Sequence, residues 1–319
     1  VWHRGAVDAD GKTGDGAGIH VEIPQDFFKE YIRDSSGQDV QGGRVAVGTV
    51  FLPRTDLGAQ ERCRIIVEAE ILRAGHQILG WRQVPVDISV IGEKANATRP
   101  EIEQILIGRG DPKLDNREFE KQLYILRRRM EKAALAENIG EFYVCSLSCR
   151  SIVYKGMFLA EHLSAFYPDL LDERFVSRFA IFHQRYSTNT FPQWKLAQPF
   201  RVLAHNGEIN TILGNVNWMK SHEARLASPV FGDTLNDLKP IIQPGGSDSA
   251  ALDNGYTPSS VVQDAPITIE AGPGQEAWTP SNYDGKSGGP HTLRYGIEHS
   301  KNLMTVRLAK DVGMPLIAE

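Results

Sequence analysis

The sequence predicts an α+β fold, with strands and helices mixed along one chain around a sizeable core. Three observations predict it. The 319 residues are 41% hydrophobic and 24% charged, a globular composition with enough apolar material for one large or two ordinary domains. Apolar, β-branched runs of strand length, such as residues 44–52 and 142–147, occur between longer stretches with an apolar stripe of helical period, such as 56–74 and 115–134. Two segments, Ala180–Thr190 and Arg201–Asn210, each run from a short apolar, strand-like stretch into a polar cluster. A sheet presents side chains and backbone N–H groups to a small molecule in this way.

Taken in order, residues 3–18 hold five glycines and three aspartates, which predicts a loop with positive-φ turns. They lack the G-x-G-x-x-G helix entry of a dinucleotide fold and the Gly-Lys-Ser/Thr ending of a P-loop. Gly18–Ile23 reads as a strand, Gln25–Arg33 as a short helix, 34–43 as a polar loop and Arg44–Leu52 as a buried strand. Asp56 caps a helix to about Ala74, with Ile65, Ile66, Ala69 and Leu72 as its stripe and Gly75 as its stop. Residues 76–91 give two short strands around Pro85, and Arg99-Pro100-Glu101 opens a helix or turn reaching Ile107. Asp115 caps a helix to about Ala134 with a solvated Arg/Glu/Lys face. Phe142–Leu147 and Ser151–Tyr154 read as paired strands. Lys155-Gly156-Met157 leads into a helix through Phe166, which Pro168 breaks, and Thr211–Leu226 reads as helical. Residues 255–290, rich in Gly, Pro and Ser, read as irregular, and a boundary falls near Asn254.

Composition excludes several function classes. A net charge of -5 and a pI near 6.0 give no footprint for nucleic acid, and the run Arg127-Arg128-Arg129 is short. The apolar runs fall well below the roughly 20 residues that span a bilayer, so no membrane partner is expected. Cys63, Cys145 and Cys149 are an odd number in a long chain, which argues for a reducing, cytoplasmic setting. Cys63 reads as a packing residue within its helix, and Cys145 and Cys149 lack the His/Cys neighbours of a zinc site. The chain opens at Val1 without Met or a targeting pattern, which leaves a lost organelle-targeting leader open.

The polar clusters carry the chemistry. Arg185 follows a buried strand, where a guanidinium must be paired, either by a bidentate substrate carboxylate or by an internal Asp or Glu. Asn206-Gly207 offers a side-chain amide and an unobstructed N–H to a developing oxyanion, or is a plain turn. Asp248, in the glycine-rich turn Gly245–Ser249, caps a helix or holds an ammonium. Together these groups suit an amino-acid amide substrate.

Several long motifs, in order, resemble one family: His183-Gln-Arg-Tyr-Ser-Thr-Asn-Thr190, Ala204-His-Asn-Gly-Glu-Ile-Asn210, Gly214-Asn-Val-Asn-Trp218, Gly246-Ser-Asp-Ser249, and His3-Arg-Gly with Gly14-Asp-Gly-Ala-Gly18. They are similar to the type 2 glutamine amidotransferase domain of glutamate synthase large subunits, from Val1 to about Asn254. The resemblance implies a four-layer αββα N-terminal-nucleophile hydrolase fold, incomplete at both ends. It implies that Arg185 binds the glutamine α-carboxylate, that Asp248 binds its α-amino group, and that Asn206 with Gly207 forms the oxyanion hole. Thr188, Asn189 and Gln198 match pocket walls, and Arg4 matches the arginine that orders the nucleophile's end of the site.

Members of this family attack through an N-terminal Cys whose own α-amine, with a pKa of about 8, is the general base. Residue 1 here is Val, and none of the three cysteines matches that position. The resemblance implies no cofactor in this segment, and FMN and an iron-sulfur cluster in the full-length protein. It also implies delivery of ammonia to 2-oxoglutarate at a distant synthase site and a small electron-donating subunit. The expectation is a fragment, or a faulty gene model, of such an enzyme: a partial amidotransferase domain over 1–254 and an unmatched tail over 255–319, binding glutamine weakly without hydrolysing it. A non-catalytic glutamine-binding module and an N-terminal-nucleophile hydrolase for another amide are the alternatives.

Overall fold

The computed structural model describes residues 7–40, 43–184, 191–201, 226–228, 230–242, 261–264 and 285–292, together with residues 217, 220, 221, 223, 246, 279, 281 and 282. The chain divides into two compact units, residues 1–201 with 233–238, and residues 202–232 with 239–319. Along the first run β1 (Thr13–Glu22), α1 (Gln25–Ser36), β2 (Ala46–Leu52), α2 (Leu57–Arg73), β3 (Gln77–Gln83), α3 (Glu93–Ala97), β4 (Glu101–Gly108), α4 (Asn116–Ala136), β5 (Tyr143–Ser148), β6 (Ser151–Phe158), α5 (Leu163–Phe166), β7 (Ala180–His183) and α6 (Leu235–Leu238). In the second, Val261–Asp264 pairs antiparallel with Gly289–Thr292, a short ladder inside a stretch whose composition reads as irregular.

The strands form two antiparallel sheets, ordered β3-β4-β2-β5 and β6-β1-β7. Strand β2 is buried along its whole length and sorts its side chains by parity. Ala46, Val50 and Leu52 pack with Cys63, Val67 and Ile71 of α2 and with Phe119, Leu123 and Met130 of α4. Val47 and Phe51 join a second core with Ala17 and Val21 of β1 and Ile152, Tyr154 and Phe158 of β6. The layers are therefore helix, sheet, sheet, and the mixture is α+β, as predicted. In β5, Thr49 opposes Ser146 and Val50 opposes Val144, so Cys145 is an extra, bulged residue. Val144 and Leu147 consequently both reach the helical layer in spite of their odd spacing.

Several predicted elements are corrected. Residues 13–18 are strand, not loop: a Cβ on Gly18 would lie 2.6 Å from the Tyr154 carbonyl oxygen and 2.8 Å from that of Gln198, so this glycine serves close approach. Residues 101–108 are strand β4, with Ile102 and Leu106 in one core and Ile105 and Ile107 in the other. Between residues 76 and 91 there is one strand, β3, followed by a single 3-10 turn at Ile88–Val90. Strand β6 continues to Phe158, and the helix after it is only Leu163–Phe166. The predicted pair β5 and β6 is split between the sheets, joined by a corner at Cys149-Arg150 in which Ser146 Oγ accepts from Val153 N at 3.2 Å. The caps at Asp56 and Asp115 form as predicted. The stripe of α2 is rotated, however: it buries Ala59, Cys63, Ile66, Val67 and Ile71 while Ile65 and Leu72 are exposed.

The charged face of α4 is not solvated. Arg127, Arg128 and Glu131 are buried; Glu131 accepts from Arg127 at 3.1 Å and from Arg128 at 2.5 Å. Arg128 also reaches the Leu238 carbonyl, Lys132 those of Asn236 and Asp237, and Arg129 the Asp237 carboxylate. Cations of α4 thus hold the last turn of α6, where carbonyls carry the negative end of a helix.

Candidate functional site

Strand β7, which precedes the first polar cluster in the sequence, lies beside β1 with Gly18 opposite His183 and Val21 opposite Ala180. The entry to β7 is tied down electrostatically: Glu22 of β1 accepts from Arg178 at 2.6 Å through both carboxylate oxygens and from Arg44 at 3.1 Å. Those hydrogen bonds, Arg178 first, hold its carboxyl down to about 2.

Of the predicted site residues, Gln198 lies among the described ones. Arg4, Arg185, Thr188, Asn189, Asn206, Gly207 and Asp248 lie outside them, as does most of the predicted helix 211–226. Gln198 is 7% exposed, and its side-chain amide makes no hydrogen bond among the described residues.

Gln198 belongs to a segment, 191–201, that separates the two polar clusters. Trp194 enters the core between the sheets, against Phe51, Phe158 and Phe166, and its indole N–H donates to the Ala95 carbonyl at 3.0 Å. Arg201, at the other end, donates to the Tyr143 hydroxyl at 3.2 Å and to the Val144 carbonyl at 2.8 Å. The segment borders a cavity of about 390 Å³ lined by Phe51, Arg54, Arg99, Tyr143, Trp194 and Lys195, among others. Arg54 caps the end of α3 by donating to the carbonyls of Asn96 and Arg99. Sequence reasoning missed Trp194, Arg201 and Tyr143. Their only signal was aromatic or cationic character next to a motif.

The three cysteines are buried. Burial pushes the thiols up, to about 11 at Cys63 and about 12 at Cys145 and Cys149, with the Glu120 carboxylate adding to the effect at Cys149. A thiol in that state is a poor nucleophile. Among the described residues no group of three His, Cys, Asp or Glu side chains is arranged to hold a metal, and no helix is long and apolar enough to cross a membrane.

Comparison with known proteins supplies the family. Residues 1–257 match the profile of the glutamine amidotransferases class-II. The chain is 66% identical over 253 residues to the glutamate synthase [NADPH] large chain of Azospirillum brasilense, covering 79% of this chain and 17% of that protein. It is 46% identical over 255 residues to the ferredoxin-dependent glutamate synthase 1, chloroplastic/mitochondrial, of Arabidopsis thaliana, covering 79% and 16%. It is 44% identical over 256 residues to the glutamate synthase [NADPH] large chain of Bacillus subtilis, covering 80% and 16%. The chain spans about a sixth of the length of these curated relatives. With its motifs in order and most of its length matched, the chain belongs to the class-II glutamine amidotransferases.

Proposed function

We propose that this chain forms the glutamine pocket of a glutamate synthase large subunit. In this reading Arg185 clamps the α-carboxylate of glutamine, Asp248 takes its α-ammonium, and Asn206 with the Gly207 N–H receives the oxyanion. Thr188, Asn189 and Gln198 wall the pocket, and Arg4 orders the end where a thiol attacks. The domain spans 1–254, with 255–319 outside it, and its fold is the four-layer αββα arrangement of N-terminal-nucleophile hydrolases. The two facing antiparallel sheets and the outer α2/α4 layer support that arrangement. The observation that carries the functional reading is the 66% identity to a glutamate synthase large chain across the amidotransferase region.

In this mechanism a thiol gives its proton to the α-amine that serves as general base and attacks the glutamine δ-carbonyl carbon, the amine passes that proton to the leaving nitrogen as the C–N bond breaks and ammonia departs, and water hydrolyses the thioester to glutamate. Buried Cys63, Cys145 and Cys149 do not suit that role, and the family resemblance gives it to an N-terminal Cys. In the whole enzyme the ammonia goes to 2-oxoglutarate at a site that uses FMN, an iron-sulfur cluster and an electron donor. Calorimetric titration with L-glutamine tests the pocket. Saturable binding that Arg185→Leu abolishes is expected, and equal binding by both proteins would remove the carboxylate clamp. Glutamine hydrolysis by a chain extended to include the N-terminal Cys, and not by residues 1–319, tests the nucleophile.

A further inference from the structure

Lys155 is a cation in a strand position of the core. It stands in β6 between Tyr154 and Gly156, and it is 1% exposed. A buried ammonium is costly unless its donors are met, and a carboxylate ordinarily meets them. No carboxylate pairs with Lys155 among the described residues. Its partners are neutral: Nζ donates to the Lys195 carbonyl at 2.9 Å and to the Tyr143 hydroxyl at 3.1 Å. The ammonium also stands 4.6 Å from the centre of the Phe200 ring and 4.7 Å from that of Tyr143, cation–π distances on both sides. The Lys155 carbonyl is fixed as well, accepting from the Tyr167 hydroxyl at 2.8 Å.

These contacts bracket one residue. Lys195 precedes Gln198 by three positions and Phe200 follows it by two. Gly18, the cross-strand neighbour of Lys155, leaves the space into which the Gln198 carbonyl fits. Tyr143, which accepts from Lys155, also accepts from Arg201, so one phenol oxygen ties down the end of the segment too. The ammonium adds a directed bond to the backbone of the segment that carries Gln198.

We infer that Lys155 is a positioning residue of the amidotransferase pocket: it pins residues 195–200 to both sheets and thereby sets where Gln198 meets bound glutamine. The inference deepens the reading of this pocket as a glutamine site and rests on it.

Lys155→Met, which keeps length and removes the donors, separates this role from packing. In hydrogen exchange, peptides covering 194–201 should lose protection in Lys155→Met while those of β2 and β4 keep theirs. Glutamine binding should weaken by about tenfold or more. Lys155→Arg, which restores the donors, should recover part of both. Unchanged exchange in 194–201, or unchanged glutamine affinity with wild-type binding intact, would overturn the inference. If Lys155→Met does not fold, Tyr143→Phe, which deletes one acceptor, is read by the same two measurements with the same outcomes. Absence of glutamine binding in the wild type would sink the pocket reading instead, and the exchange experiment alone would then decide whether Lys155 pins the segment.

Discussion

Arg82 grips Asp169 with both arms of its guanidinium, Nη2 to Oδ1 at 2.6 Å and Nη1 to Oδ2 at 2.7 Å, and both side chains are buried. The Tyr154 hydroxyl donates to the same carboxylate at 2.9 Å and accepts from Gln104 at 3.0 Å, while Gln104 accepts from Arg82 at 3.0 Å. The circuit joins β3, β4 and β6 and so stitches one sheet to the other. Burial opposes the charge of Arg82, and Asp169 more than offsets it, keeping the guanidinium above its ordinary range.

Removing one member of that circuit leaves a buried charge without its partner. Asp169→Asn is expected to cost about 3–5 kcal/mol in urea unfolding, whereas the joint change Arg82→Met with Asp169→Leu should cost much less than either alone. Additive costs would mean that the two residues do not act as a pair.

Acid should weaken the hold on β7. Glu22 has its carboxyl lowered from 4.5 to about 2, chiefly by Arg178 and then by Arg44. A lowered acid stabilises the fold above its unfolded pKa and loses that contribution as pH falls through the folded one. The stability gap between wild type and Glu22→Gln, measured by urea unfolding, should therefore be full at pH 6 and shrink between about 4.5 and 2. A constant gap would refute the pairing.

Burial also ranks the cations of α4. Glu131→Gln leaves Arg127 and Arg128 without their shared carboxylate and should cost about 3–5 kcal/mol. Arg129, a third exposed and paired with Asp237, should tolerate Ala at a cost of no more than about 1 kcal/mol. Equal losses in thermal or urea unfolding would show that exposure does not decide the matter.

The thiols should be silent in the native protein. With Cys63 pushed up to about 11 and Cys145 and Cys149 to about 12 in buried sites, none should react with a thiol reagent at pH 8 within the time in which unfolded protein is fully labelled. Fast native labelling of one of them would reopen it as a nucleophile.

What could be read from the sequence was what is local. Asp56 and Asp115 each announce a helix because a cap acts within three residues. Strand β2 announces itself by a run of β-branched residues. Strand β4 was hidden because it is buried on both faces, which erases the two-residue alternation, and because Pro100 imitates a helix start. The burial of Arg128 could not be read, since one of its acceptors, the Leu238 carbonyl, lies 110 positions away. The same holds for the pocket: Gln198 came from the family resemblance, while Lys155 read as the lead into a helix because its acceptor, the Lys195 carbonyl, lies 40 positions away.

The bulge at Cys145 bears on how this domain tolerates change in length. With Cys145 counted, two successive residues turn to the space between the sheets. Without it, Tyr143, Val144, Ser146 and Leu147 still alternate correctly between the two cores. Strand β5 therefore holds a spare residue. A deletion there shortens the chain without inverting its faces, whereas the same deletion within β2 would turn Phe51 toward the helices and Val50 toward the other sheet.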